Sequence, residues 1–216
     1  MTKVDEGRVV REGYPFCIIP AVAGFILLAL QWFIAGALLM VIALFCLYFF
    51  RNPQRRTPQE TGAVIAPADG KVIQVDPSFY EARFLGTSMK KVSIFMSLFD
   101  VHVNRFPVSG VVRRISYHPG RFFSANRNKA SRENEQNALF LETPSGQNIL
   151  MIQIAGVVAR RIVCWAEEGD RVVAGNRFGL IRFGSRVDIF LSPQSRLVVR
   201  PGDRVRAGET VVGYLP

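Results

Sequence analysis

Residues 14–50 run for 37 positions without a charged side chain, broken centrally only by Gln31-Trp32. Such a stretch must be buried in a large core or given to lipid. As one helix it would be about 55 Å long, well beyond a hydrocarbon layer of about 30 Å. Folded at Gln31-Trp32 it gives two arms, residues 14–30 and 33–50, each near the short end of what can span. Lys3, Arg8 and Arg11 precede the stretch and Arg51, Arg55 and Arg56 follow it. The positive-inside rule then places both ends on the cytoplasmic side, which a helical hairpin satisfies. A single tilted span or a shallow interfacial insertion is the competing geometry. A cleaved signal peptide is not, because Leu47-Tyr48-Phe49-Phe50-Arg51 offers no small-residue cleavage site.

The rest of the chain carries the charge. The 216 residues have a formal net charge of +10 and are 49% apolar, enough for a sizeable core and too apolar for disorder. That balance calls for an anionic partner, and the apolar N-terminus favours a membrane surface over nucleic acid. Cys17, Cys46 and Cys164 stand at no metal-ligand spacing and imply no disulfide framework, which fits a reducing compartment.

Past residue 50 the prolines at 53 and 58 stop the helix, and the texture changes to short apolar runs between glycines and prolines. Residues 63–66, 71–75, 92–97, 111–116, 149–154, 160–165, 187–191 and 197–199 read as strands, while 77–85 and part of 126–135 read as helical or irregular. Gly169-Asp170-Arg171-Val172-Val173-Ala174-Gly175 recurs with one change as Gly202-Asp203-Arg204-Val205-Arg206-Ala207-Gly208, 33 residues later. Each copy predicts a Gly-Asp turn, a short strand and an Ala-Gly turn. The pattern is similar to the hammerhead-like sandwiches of biotin and lipoyl carriers, but neither copy holds the lysine a carrier needs. The predicted fold is therefore mainly β (α+β): an antiparallel sandwich or barrel-like domain with hammerhead-like turns, behind a hydrophobic helical hairpin. The predicted organisation is a basic flank at 1–13, the hairpin at 14–50, a linker at 51–61 and the β domain at 62–216.

Near the C-terminus, Gly184-Ser185 lies between two apolar runs in Arg182-Phe183-Gly184-Ser185-Arg186-Val187-Asp188. Glycine admits unusual backbone angles and hinders approach least, so a following hydroxyl can attack its carbonyl. Alone the dipeptide is an ordinary turn. Two other segments hold groups that suit proton transfer: Asp69 in Ala66-Pro67-Ala68-Asp69-Gly70-Lys71-Val72, and His102 in Phe99-Asp100-Val101-His102-Val103-Asn104-Arg105-Phe106-Pro107. The other histidine, His118, opens His118-Pro119-Gly120-Arg121-Phe122-Phe123-Ser124.

In combination these segments resemble the phosphatidylserine decarboxylases of the short prokaryotic type. The likeness rests on Phe50-Arg51-Asn52-Pro53 with Arg55 and Pro58, the Asp69 and His102 segments, Pro119-Gly120 with Phe123-Ser124, Asn134-Glu135, and Phe183-Gly184-Ser185, all in family order. The resemblance implies a proenzyme that cuts itself between Gly184 and Ser185, leaving a 32-residue small chain whose first residue has become a pyruvoyl group. That covalent cofactor would take the serine amine of phosphatidylserine as a Schiff base and release carbon dioxide, giving phosphatidylethanolamine. It further implies Ser185 as nucleophile, Gly184 as cleavage site, His102 as acid/base and Asp69 as the group orienting it. Longer members carry a second histidine where this chain has Arg105, so both proton steps fall to His102. Arg186, His118, Phe123, Ser124, Asn134 and Glu135 are the substrate-binding candidates, and no metal is implied. The expected partners are phosphatidylserine and anionic membrane lipid at the cytoplasmic face of the cell membrane. The expected assembly is a heterodimer of the protein's own large and small chains, or a higher oligomer of it.

Two rivals make different predictions. A membrane-anchored serine hydrolase using Asp69, His102 and Ser185 stays uncut and turns over external acyl substrates, and a non-catalytic lipid-binding β module is indifferent to Ser185→Ala. The basic residues Arg113, Arg114, Arg121, Arg127, Lys129 and Arg132, with Phe122 and Phe123 among them, also suggest nucleic acid, but a cationic face beside a membrane anchor is already explained by lipid.

Overall fold

The computed structural model describes residues 7–81, 83–120, 134–156, 161–182 and 184–216, in two compact units, Asp5–Gln54 and Arg55–Pro216. In the first unit the apolar run forms two helices, α1 (Tyr14–Ala29) and α2 (Phe33–Phe49). Gln31 supplies the reversal, with φ of +65°, the one non-glycine residue in that region among those described. The seam between the helices is made of small residues. A Cβ on Gly36 would fall 2.9 Å from the Gly24 carbonyl oxygen, so the backbones touch where only glycine fits. Outward, Ile19, Phe25, Ile34 and Leu44 are exposed, Ile34 to 90%. Apolar outside and small inside is the packing of helices in lipid. The two feet are tied together: Val10 N–H donates to the Phe50 carbonyl at 3.1 Å and Asn52 N–H to the Arg8 carbonyl at 2.7 Å.

The second unit is antiparallel β throughout. Its strands are β1 (Ala63–Ile65), β2 (Gly70–Glu81), β3 (Thr87–Met96), β4 (Val103–Arg105), β5 (Gly110–His118), β6 (Gln136–Glu142) and β7 (Asn148–Ile154). There follow β8 (Ile162–Cys164), β9 (Arg171–Val172), β10 (Arg177–Ile181), β11 (Ser185–Leu191), β12 (Arg196–Leu197), β13 (Arg204–Val205) and β14 (Val211–Tyr214). An eight-stranded sheet runs β13-β2-β3-β11-β7-β6-β5-β9, with β1-β14-β12 and β4-β10-β8 as smaller sheets. Alternate residues of the central strands, such as Ile94, Met151, Val187 and Ile189, face a single apolar core.

The order of the large sheet is symmetric about β11 and β7, and its halves repeat bond for bond. At one edge Gly202 N–H donates to the Val72 carbonyl (2.8 Å) and Val72 N–H to Asp203 (2.9 Å); at the other Gly169 donates to Val112 (2.7 Å) and Val112 to Asp170 (2.9 Å). The Gly-Asp aspartates cap their own turns alike, taking Arg200 N–H at 2.8 Å and Glu167 N–H at 2.9 Å. All four turn glycines have positive φ, from +78° to +104°. The predicted turn-strand-turn units are thus both present, as β13 and β9. The match also extends to a pair the sequence reading passed over, Pro67-Ala68-Asp69-Gly70 and Pro107-Val108-Ser109-Gly110, forty residues apart. A Cβ on Gly70 would strike the Phe95 carbonyl, and one on Gly110 the Glu142 carbonyl, so each copy needs glycine where its long strand starts.

One expectation fails. The region read as helical or irregular at 77–85 is strand as far as Glu81, because β2 continues past a register shift between Asp76 and Phe79. Pro77 sits in that irregularity, where a missing N–H is tolerated. Of residues 126–135, expected to be partly helical or irregular, 126–133 lie outside the described residues.

Candidate active site

Three chain segments meet where β3 ends. Ser185 begins β11 and pairs with Met96, the last residue of β3. On the other side of β3, Lys71 pairs with Phe95, which brings Asp69-Gly70 beside Met96. His102 lies six residues past Met96, and its carbonyl accepts from Ile181 N–H at 3.4 Å, four residues before Ser185. Ser185, His102 and Asp69 are therefore gathered by the sheet register at one corner, and all three are buried.

Ser185 is completely shielded from solvent. Its Oγ lies 4.0 Å from the Met96 sulfur, a weak acceptor. Asn104 donates to the same sulfur at 3.6 Å, Gln153 donates to Asn104 at 2.9 Å, and Asn137 to Gln153 at 3.0 Å. This chain of buried amides holds the methionine that faces the serine, and satisfied networks of this kind are rigid. Gly184 has φ of +67°, a conformation that costs other L-residues roughly 1–2 kcal/mol. No described atom lies within 4 Å of where its Cβ would stand, so the carbonyl preceding Ser185 belongs to an uncrowded residue.

His102 Nδ1 lies 3.0 Å from the Asp100 carbonyl. With Nδ1–H donated there, Nε2 carries the lone pair, the form a base needs. Asp69 is committed elsewhere: Oδ1 accepts from Ala207 N–H at 2.7 Å and Oδ2 from Arg55 at 2.8 Å. Burial raises its carboxyl above the ordinary 3.8, against the opposing pull of Arg55 and the Ala207 N–H. Arg55 also reaches Glu209 at 3.0 Å. Arg105 donates to the Gly175 carbonyl at 2.8 Å. Burial, then the charges of Arg177 and Arg55, lower its guanidinium to about 10, which leaves it cationic at neutral pH.

The substrate-binding candidates divide between the two faces of the sheet. Asn134 donates to the Ala155 carbonyl at 2.6 Å, and Ala155 follows Ile154, the register partner of Arg186, so Asn134 comes to the Ser185 corner. Glu135 accepts from Tyr117 Oη at 3.0 Å and is buried. Arg186 differs from the sequence expectation. Neighbouring strand residues point to opposite faces, so its side chain leaves the Ser185 side and meets Asp188, with Nε to Oδ1 at 2.8 Å and Nη2 to Oδ2 at 2.9 Å. Lys91 completes this buried cluster at 3.1 Å from Asp188. Burial alone would raise the Asp188 carboxyl, but Arg186 and Lys91 outweigh it and hold it below 3.8. His118 lies in the row of Gln136, Ile154 and Arg186 on that same far face, its ring packed edge-on against Phe84 at 5.4 Å. Phe123 and Ser124 lie outside the described residues. Sequence reasoning gave no role to Arg55, Gln153 or Asn137. Arg55 stood inside a quoted motif, but nothing in the sequence marked it as the partner of Asp69.

A family profile described as phosphatidylserine decarboxylase matches residues 42–213. The chain belongs to the phosphatidylserine decarboxylases. It is 47% identical over 211 residues to the phosphatidylserine decarboxylase proenzyme of Syntrophus aciditrophicus, covering 96% of this chain and 98% of that one. The proenzyme of the same name from Geotalea uraniireducens is 48% identical over 211 residues, covering 96% and 97% of the two chains. That of Geobacter metallireducens is 45% identical over 218 residues, at 96% and 97%. Membership in the phosphatidylserine decarboxylases extends over the β unit, including Asp69, His102, Gly184 and Ser185.

Proposed function

We propose that this chain cuts itself between Gly184 and Ser185 and then decarboxylates phosphatidylserine to phosphatidylethanolamine with the pyruvoyl group left at residue 185. The observation that carries the reading is the buried Ser185 at the head of a central strand, behind a left-handed glycine, at the end of β3 to which the His102 segment also leads. In the cut, His102 Nε2 takes the Ser185 hydroxyl proton and Oγ attacks the Gly184 carbonyl, so the amide C–N bond breaks and an ester forms. Loss of the Ser185 α-proton expels the Gly184 carboxylate and leaves dehydroalanine, whose tautomer takes up water and releases ammonia to give the ketone. The product is held without a peptide link, because β11 pairs with β3 on one side and β7 on the other, both in the large chain. β13 and β14 likewise pair with β2 and β1. Large and small chains thus remain a heterodimer.

A ketone beside an amide carbonyl supplies an electron sink for decarboxylation, as pyridoxal phosphate does. The chain's own contribution is a dry corner, with Ser185 and His102 buried, and a proton carrier in His102. Asp69 acts on that corner through charge, since both its oxygens are bound to Arg55 and Ala207. The outward apolar faces of α1 and α2 support insertion of residues 14–50 into the membrane from its cytoplasmic side, bringing the enzyme to its lipid substrate. The test is turnover of carboxyl-labelled phosphatidylserine by reconstituted protein before and after borohydride. Loss of label release on reduction, and no release by Ser185→Ala, is expected; activity that survives reduction overturns the reading.

A further inference from the structure

Between β3 and His102 the chain makes a turn at residues 97–100 whose tip is Leu98-Phe99, and Phe99 is 67% exposed. The turn is stiff. Asp100 N–H donates to the Ser97 carbonyl at 3.0 Å, and Asp100 Oδ2 takes both the Ser97 N–H (2.8 Å) and its hydroxyl (2.6 Å). In the matching half of the sheet, β6 ends in the same kind of turn, closed by Gly146 N–H to the Thr143 carbonyl at 2.9 Å, but its residues are Thr143-Pro144-Ser145-Gly146. The fold therefore accepts a polar tip in this kind of turn, whereas the tip at the Ser185 corner is apolar and exposed.

Cations frame that tip. Arg204, with its side chain 74% exposed, donates to Asp100 Oδ1 at 3.2 Å. In register it stands beside exposed Lys71, which pairs with half-buried Phe95, in the row that continues to Arg186 on the face opposite the Ser185 side chain. Arg206 is as exposed as Arg204. An exposed apolar tip with arginine bound to its turn, and further exposed cations on the adjoining strand and turn, matches the interfacial layer of an anionic bilayer, where apolar groups enter among the headgroups and cations rest on phosphate. We propose that this turn is a membrane contact of the β unit itself: Leu98 and Phe99 enter a phospholipid surface, Arg204, Arg206 and Lys71 bind its phosphates, and the Ser185 corner is held at the level of the lipid headgroups. The proposal rests on the reading of Ser185 as the reactive centre, and it adds to that reading how the centre reaches its lipid.

The test uses full-length protein in phosphatidylcholine/phosphatidylglycerol proteoliposomes, with and without lipids brominated close to the headgroup. Phe99→Trp is compared with Ser145→Trp, each after subtraction of the wild-type emission from Trp32 and Trp165. Phe99→Trp is expected to emit further to the blue and to be quenched several-fold more than Ser145→Trp. Equal quenching of the two, or none at Phe99→Trp, overturns the proposal. Because these lipids are not substrate, the quenching reads the contact whether or not the chain cuts itself. As a second readout, Leu98→Asp/Phe99→Asp should self-cleave normally and raise KM about tenfold for vesicle phosphatidylserine, while kcat/KM on a soluble short-chain analogue stays unchanged. An unchanged vesicle KM counts against the contact.

Discussion

The two halves of the large sheet solve one structural problem with two different residues. Where β2 starts, Asp69 accepts Ala207 N–H at 2.7 Å; where β5 starts, Ser109 accepts Ala174 N–H at 3.0 Å. A hydroxyl meets the needs of the turn, so the carboxylate at 69 is not required by the fold. Its charge is instead engaged by Arg55, 2.8 Å away, at the corner where Ser185 sits. The central strands differ in the same sense. On the far face β7 carries Leu150, Ile152 and Ile154, while β11 carries Arg186, Asp188 and Phe190. Charge has been placed in the half that holds the Gly184–Ser185 bond, and the other half shows what the scaffold is without it.

Asp69→Ser, which copies the Ser109 solution, is the strongest test of this comparison. It should fold with a melting temperature near that of the wild type, yet slow self-cleavage by about 10²–10⁴-fold, because the acid/base His102 loses the charge that supports it. Cleavage at the wild-type rate, followed by gel shift, would erase the distinction between the halves. Next in size is Asp188→Ala, which leaves Lys91 and Arg186 buried without their carboxylate and should cost about 3–5 kcal/mol in urea unfolding. The sign of its pH dependence follows from the lowered Asp188 carboxyl. The stability it gives is present above the ordinary 3.8 and is lost as pH falls through the depressed folded value, so the wild-type advantage over Asp188→Asn should shrink only in strong acid.

Arg55→Ala should act more mildly, through the pH profile. Asp69 already sits above 3.8 because burial outweighs Arg55, so its ionisation opposes folding as pH rises through the folded value. Removing Arg55 raises that value further, which should move the acid limb of the self-cleavage profile to higher pH, with Arg55→Lys restoring part of the shift. A profile that falls in height without moving would make Arg55 a packing residue only. Smallest is Ser109→Ala, expected to cost about 1 kcal/mol by analogy with a lost cap and to leave cleavage unchanged.

Much of this was legible in the sequence because it follows from local chemistry. The uncharged run with one central break gives two helices, and the Gly-Asp and Ala-Gly pairs of the two repeated segments give turns with positive φ in both copies. Arg186 was misplaced because strand alternation depends on knowing that β11 begins at Ser185 itself, a boundary hidden by the adjoining Gly184. The Arg55–Asp69 pair could not be read at all, since it depends on where a proline-bounded linker lies against a turn. The equivalence of Asp69 with Ser109 escaped notice for a related reason: only Pro and Gly are shared across the two turns, and the likeness lies in hydrogen bonds rather than in residue identity.

The mass of the purified, active protein tests the central claim most directly. The account requires two chains, residues 1–184 and a piece from 185–216 that lacks the serine nitrogen and gains two mass units on borohydride reduction, with Ser185→Ala remaining whole. Active wild-type protein in which the Gly184–Ser185 bond is intact would contradict it.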